Sequence, residues 1–297
     1  MKNPIRSGLF TLSLAVALSL VLLLLRRRRY SSRESKSSEE EAIPLPPVGG
    51  GPRRMLVRFM VSNAILLFLP SKRRVSTLQI EGDRRARHRA IDDYATYVPK
   101  VTYRPPFDGE WYVLNGGLSE ADSHSWDLAG QRYAYDFVVV DEHRRQWRAG
   151  SRGKYVEDYL CHDQPILAPA DGVVVAAEDG SRETPRPGTG WLDPSSEDPR
   201  GNFVVLRHTE EEYSLLAHLA PDSIGVREGQ AVRAGQYLGR CGNSGNSTQP
   251  HLHFQIQDRE DFFEAASLPV AFCGVSVEKG AIEDGVYLTR GQRLLRA

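Results

Sequence analysis

A chain of 297 residues with 40% hydrophobic residues and 9% aromatics can hold one sizeable globular domain plus appendages, which excludes a wholly disordered protein. Its net charge of zero is unevenly divided: residues 1–89 carry 18 Lys/Arg against 6 Asp/Glu, and residues 90–297 carry 20 against 32. No basic stretch is interleaved with stacking aromatics, so the basic end suits an anionic membrane surface and no nucleic-acid partner is expected.

Residues 8–25, GLFTLSLAVALSLVLLLL, run without charge; at ~1.5 Å per residue they nearly cross a ~30 Å hydrocarbon core. Four arginines, Arg26 to Arg29, follow at once, where a cleaved leader would carry a small-residue cleavage site. Residues 1–29 are therefore read as a retained transmembrane helix with a basic flank. Residues 30–54, rich in Ser, Glu, Pro and Gly, read as a flexible linker. Residues 55–70 are a second apolar segment, short and interrupted by Arg58 and Asn63, which reads either as a second span or as an interfacial or buried helix. Eight Lys/Arg in residues 26–54, against Lys2 and Arg6 ahead of the first helix, place that loop in the cytoplasm. Two spans then put everything after Pro70 outside the cell; one span leaves it inside. Residues 71–101 read as a charged connecting region with a surface helix within 79–97.

From residue 102 to 297 the pattern becomes short β-branched and aromatic runs between turn residues, as in an all-β domain. Strands are predicted at 111–114, 133–140, 172–178, 202–208, 212–219, 236–241 and 251–257. A Pro/Gly/Ser-rich loop at 179–201 is placed to border a cleft. The run VREGQAVRAGQYLG resembles the glycine-turned hairpin of lipoyl and biotinyl domains, but it contains no acceptor lysine. Cys161, Cys241 and Cys273 form neither a CxxC pair nor an even set, so they read as packing residues, with one disulfide plus a free thiol as the alternative. HExxH, G-x-S-x-G and a glycine-rich phosphate loop are all absent.

The most informative feature is His251-Leu252-His253 in the run PHLHFQIQ. Residues two apart on a strand share a face, so two imidazoles converge on one spot while Leu252 and Phe254 turn the other way. Further candidates are Asp136 within YAYDFVVV, His218 at the end of SLLAHL and His124 in GGLSEADSHSW. Each alone has a plain structural reading, as a solvent-facing strand end, a partly buried histidine and an exposed loop histidine. Together, two histidines and one carboxylate make a zinc set with a fourth position for water, and two histidines remain for proton transfer.

The runs ILAPADGVVVAAEDG, NFVVLRHTEEEYSLLAHL and VREGQAVRAGQYLGRCGNSGNSTQPHLHFQI resemble, in matching order, the lysostaphin-type zinc endopeptidases over residues 111–257. The resemblance implies a duplicated-hybrid-motif β fold of sandwich or barrel-like form with an open groove, a bound Zn2+, and cleavage of peptide bonds in the stems or cross-bridges of cell-wall peptidoglycan. It maps metal ligands onto His124, Asp136 and His253, and residues acting beside the metal onto His218 and His251. The commoner family spacing, HxxxD, falls on Arg132. His124 lies in a longer insertion that resembles a family branch, with His143 as the other candidate. A family glutamate after HxHF is Gln255. The implied protein is a membrane-anchored zinc metallo-endopeptidase at the cell membrane, with its catalytic domain extracytoplasmic and peptidoglycan peptides as substrate. The alternatives are a catalytically silent wall-binding module or activator of other hydrolases, and a carrier domain, which the missing lysine disfavours.

Overall fold

A computed structural model describes residues 44–66, 68–89 and 94–296. The expected transmembrane helix at 8–25 and most of the expected linker lie outside the described residues. The rest of the chain is mostly β, with all strand pairs antiparallel. Along the larger sheet the order is β12 (Ile282–Glu283), β11 (Val275–Val277), β13 (Arg293–Arg296), β1 (Gly109–Asn115), β2 (Tyr135–Val138), β9 (Leu252–Gln257), β6 (Tyr213–Leu219), β5 (Asn202–Arg207), β4 (Gly172–Glu178) and β7 (Ala231–Val232). Off this path β10 (Ser267–Leu268) pairs with β9, and β3 (Pro165–Leu167) pairs with β8 (Tyr237–Arg240) as a separate ribbon.

All seven predicted strands form, with boundaries shifted by at most two residues. The hairpin expected in VREGQAVRAGQYLG does not form: β7 pairs with β4 and β8 with β3, so the two arms enter different sheets. Loop 179–201 borders a cavity of about 750 Å³ through Gly180, Asp198 and Arg200. The three cysteines are free thiols, two of them buried.

β2, β9 and β6 are buried on both faces, and their alternation separates two environments. On one face Tyr135, Phe137, Leu252, Phe254, Ile256 and Leu216 join the main apolar core. The other face carries Asp136, His253, Gln255 and Gln257 beside a smaller apolar cluster of Phe203, Val205, Leu215, Ala217 and Phe262. A buried polar row is tolerable only where every group finds a partner, so this face is where chemistry concentrates.

Two helices precede the β domain. α1 (Pro52–Leu66) turns its apolar residues outward: Leu56, Val57, Phe59, Val61 and Ile65, with Phe68 just beyond, are between 37% and 67% exposed. Its buried positions are Ser62 and Leu66, and Ser62 Oγ accepts the Leu192 backbone N–H at 3.0 Å. At 15 residues α1 is roughly 22 Å long, short of a ~30 Å core. No single described helix is long and apolar enough to cross a membrane; α1 and α2 qualify only as a pair, and the chain bends by 101° between them. Residues 55–66 of the second apolar segment lie in α1. The last residues of the expected linker also pack on the domain, where Pro46 lies against Gly188 and Gly153.

α2 (Pro70–His88) begins nine residues before the helix expected within 79–97 and does more than connect. A Cβ on Gly82 would sit 1.4 Å from the Phe263 carbonyl oxygen, so only glycine lets the helix approach this closely. Asp83 accepts the Ala129 backbone N–H at 2.5 Å, and Arg85 pairs with Glu264. α2 thus holds the two loops that cover the polar face of β9.

The segment entering the domain is fixed by one buried carboxylate. Glu212 accepts Tyr97 Oη–H at 2.6 Å, the Lys100 and Val101 backbone N–H groups at 2.5 and 3.2 Å, and Tyr103 Oη–H at 2.8 Å. Hydrogen bonds to a charged group contribute about 1.5–3 kcal/mol each, without simple addition. Glu212→Ala is expected to lower unfolding free energy by at least about 3 kcal/mol in chemical denaturation, and Tyr103→Phe by less. A Glu212→Ala protein as stable as the native one would refute this role.

Candidate metal and acid-base site

The site is built where β2, β9 and β6 lie side by side. Asp136 is directly opposite His253 across the β2–β9 pair, and Ala217 is opposite His253 across β6–β9. His218 follows at an irregularity in the β5–β6 register and takes φ +63°, a left-handed conformation uncommon for a residue with a side chain. This turn leaves the His218 and His251 rings 4.7 Å apart between centroids, with His253 5.9 Å from His218. His251 sits one residue before β9, with its neighbour Pro250 held by a hydrogen bond from Cys161 Sγ to the Pro250 carbonyl at 3.2 Å.

Asp136 is the hub. Its Oδ1 lies 3.1 Å from His253 Nδ1 and 3.6 Å from His251 Nε2, while Oδ2 lies 3.4 Å from His124 Nδ1 and accepts Asn115 Nδ2–H at 3.1 Å. All five residues singled out in the sequence are thus brought together. Arg132, at the commoner histidine position, is turned away: its Nε donates to the Trp126 carbonyl at 3.0 Å and its guanidinium stacks on the Trp126 ring. His143 is exposed and pairs with its neighbour Glu142, so it takes no part.

Hydrogen bonds assign the protons on the rings. His218 Nδ1 meets the Ser244 carbonyl at 2.9 Å and His251 Nδ1 meets the Gln249 carbonyl at 2.8 Å. A carbonyl only accepts, so each Nδ1 carries hydrogen and each Nε2 keeps a lone pair. His253 differs: its Nε2 meets Gln255 Oε1 at 3.1 Å and its Nδ1 meets Asp136 Oδ1 at 3.1 Å, two acceptors, so without a cation both nitrogens carry hydrogen.

Electrostatics follow from this packing. Burial alone would raise the Asp136 carboxyl, but His124, His251 and His253 outweigh it and hold the group well below the usual carboxylate range. Burial, reinforced by the two neighbouring rings, pushes His218 far down; burial also lowers His251, against the pull of Asp136. For His253 the burial cost is outweighed by the Asp136 hydrogen bond and charge, which raise it. The result is one anion, two neutral lone-pair-bearing rings and one ring, His253, that favours its protonated form beside the anion.

His253 Nδ1 and Asp136 Oδ1 are held together by a proton, and a cation that replaces it would find two electron-pair donors aimed at one place. Donors ~2.0–2.2 Å from one tetrahedral zinc stand roughly 3.3–3.6 Å apart, close to the 3.1 and 3.4 Å separations of His253 and His124 from Asp136. The donor chemistry therefore fits a zinc ion. As the side chains stand, His253 and His124 meet different oxygens of Asp136, and no group of three such residues among those described is closed into a metal cage.

Asn115 and Gln257 contribute to the site without having been singled out for it, and Gln255, noted in the sequence only at a family glutamate position, meets His253 directly. The alternation His253, Gln255, Gln257 on one strand face was the available signal; for Asn115, set at an irregularity of the β1–β2 register, there was none.

Residues 155–264 match the family model Peptidase family M23, a span that holds His218, His251 and His253 but begins after His124 and Asp136. The chain is 32% identical over 152 residues to the peptidoglycan DD-endopeptidase ShyA of Vibrio cholerae, covering 50% of this chain and 30% of that protein. It is 29% identical over 163 residues to the murein hydrolase activator NlpD of Salmonella typhimurium, covering 55% and 30%. The matched stretches thus span under a third of these curated relatives. The catalytic domain of lysostaphin from Staphylococcus simulans is 20% identical, with 59% of this chain and 92% of that one covered at a TM-score of 0.29, too low for an argument from superposition. Over residues 155–264 the chain is thus similar to Peptidase family M23.

Proposed function

We propose that the protein is a membrane-anchored zinc endopeptidase, built on a duplicated-hybrid-motif β fold, that hydrolyses peptide bonds in the stems or cross-bridges of peptidoglycan. The observation that carries this reading is the gathering of His124, His218, His251 and His253 around the buried Asp136 carboxylate. An activator such as NlpD is the second reading, favoured by the likeness to that protein. A module that only binds has no need of four buried or nearly buried titratable side chains, Asp136, His218, His251 and His253, and burying them is costly.

His124, Asp136 and His253 would hold the metal, with His253 Nδ1 the most firmly aimed of the donors. Bound zinc would supply a Lewis acid for the scissile carbonyl and lower the pKa of a water towards about 7. The remaining work falls to the chain's own groups. His218 and His251, kept neutral by burial and with Nδ1–H held by carbonyls, present Nε2 to take the proton of the attacking water. The ring that has taken it becomes the donor to the leaving amine. Asp136, ionised throughout, stabilises that transient imidazolium from 3.6 Å when His251 is the carrier.

Peptidoglycan lies outside the membrane, so this reading requires an extracytoplasmic site. With α1 short of a span, the charge bias of residues 26–54 pulls the other way, and topology is a direct test. Protease added to intact spheroplasts is expected to digest the β domain; full protection with digestion only after lysis would overturn the wall-directed reading. The outward apolar face of α1 suits contact with lipid beside the anchor, since its own buried face is the less apolar one.

Metal analysis combined with hydrolysis of purified peptidoglycan tests the chemistry. The native protein is expected to bind one zinc and release peptide products; a zinc-reconstituted protein that cleaves nothing leaves the activator reading. His253→Ala and Asp136→Ala are expected to lose both metal and activity while remaining folded. His218→Ala and His251→Ala should retain zinc with activity lower by about 10² or more, the range for a lost acid-base group. Full zinc occupancy in the first pair, or near-native turnover in the second, contradicts the respective assignment.

A further inference from the structure

Behind His253 two buried glutamines form a one-way chain of hydrogen bonds. Gln257 Nε2 donates to the Arg259 carbonyl at 2.8 Å and to the Glu260 carbonyl at 3.0 Å. Neither carbonyl can donate, so that atom must be the amide nitrogen and Gln257 Oε1 must accept. It accepts Gln255 Nε2–H at 2.8 Å; the other Gln255 N–H goes to the Gly130 carbonyl at 2.9 Å. Gln255 Oε1 is then the only atom left to meet His253 Nε2, at 3.1 Å. Both glutamines are fully buried, so no water is available to repair a reversed amide. Reversing Gln257 would set its oxygen against two carbonyl oxygens, and reversing Gln255 would do the same against the Gly130 carbonyl and Gln257 Oε1.

We propose that Gln255 and Gln257 are positioning residues: three backbone carbonyls, of Gly130, Arg259 and Glu260, fix the polarity of both amides and so keep hydrogen on His253 Nε2, which makes Nδ1, beside Asp136, the nitrogen that gives up its proton to a cation. The tautomer stands on these contacts alone; its consequence for zinc rests on the metal reading above. The strand makes the chain possible, because residues 253, 255 and 257 share one face of β9 and each side chain reaches the next. The same contacts make a glutamate at position 255 unsuitable here. Its second oxygen would oppose both Gln257 Oε1 and the Gly130 carbonyl, two acceptors that the glutamine amide now satisfies.

The test uses the full chain in detergent, labelled with 15N-histidine and freed of metal by chelation, at a pH above the titration of the His253 ring as found from its own shifts. Two-bond 1H–15N correlation, with His253→Gln for assignment, reports which ring nitrogen bears hydrogen. The native ring is expected to show hydrogen on Nε2, and Gln255→Leu a mixture of both tautomers, with zinc affinity from chelator competition lower by about 10–100-fold, as for other lost partners of ligating histidines. Gln257→Leu, which leaves Gln255 in place but frees its polarity, is expected to shift the tautomer part of the way and serves if Gln255→Leu does not fold. Hydrogen on Nδ1 in the native ring, or an unchanged tautomer in a folded variant, overturns the proposal. A native protein with hydrogen on Nε2 that binds no zinc keeps the relay and removes the metal reading; zinc bound with the tautomer indifferent to both variants does the opposite.

Discussion

A carboxylate placed in the interior of a β-sheet is the constraint around which this molecule is arranged. Asp136 is 5% exposed, in a strand whose four residues are all buried. Removing such an anion from water costs several kcal/mol even after relaxation, unless positive charge or hydrogen-bond donors surround it. Asn115 supplies a donor, and three histidines supply the rest of the neighbourhood. The histidines cannot all be protonated at once, since burial and mutual repulsion lower His218 and His251. The positive charge that compensates Asp136 therefore falls mainly on His253, which Asp136 itself raises. A cation at this edge would take the place of that proton.

The sheet supports that centre by keeping its two faces distinct. Beneath, Tyr135, Phe137, Phe254 and Phe272 pack ring against ring, a rigid aromatic floor that sets the height of β2 and β9 relative to each other. Above, loops 116–134 and 258–266 close over the polar row, and α2 clamps them through Asp83, Arg85 and the close approach at Gly82. The loops that cover Gln255 are thus held by residues far upstream in the chain.

The strand pattern was legible because half-buried and buried strands leave a strong local signal in Val, Ile, Phe and Tyr. His251, His253, Asp136 and His218 were legible because polar residues inside such runs demand an explanation. The short strands of two to four residues at the C-terminal end left too little periodicity to read. The inverted amphipathicity of α1 was hidden for another reason: a run such as MLVRFMVSNAIL looks apolar as a whole, and which face it presents depends on Ser62 meeting Leu192, a contact 130 residues away in sequence. The glutamine relay was invisible in kind, since its meaning lies in the direction of hydrogen bonds to the Gly130, Arg259 and Glu260 carbonyls.

The donors differ most in how firmly they are held. His253 is fixed at both nitrogens and its side chain is 9% exposed; the side chain of His124 is 49% exposed, on a loop, with its charge contact to Asp136 at 3.4 Å. Arg132, where a shorter loop would put a histidine, is occupied with Trp126 and has no lone pair to offer. A donor reaching in from an exposed loop must lose rotamer freedom on closing, a cost that His253 has already met in the folded chain. The rigid edge formed by Asp136 and His253 then determines where a cation sits, and the loop that carries His124 determines how tightly it is kept.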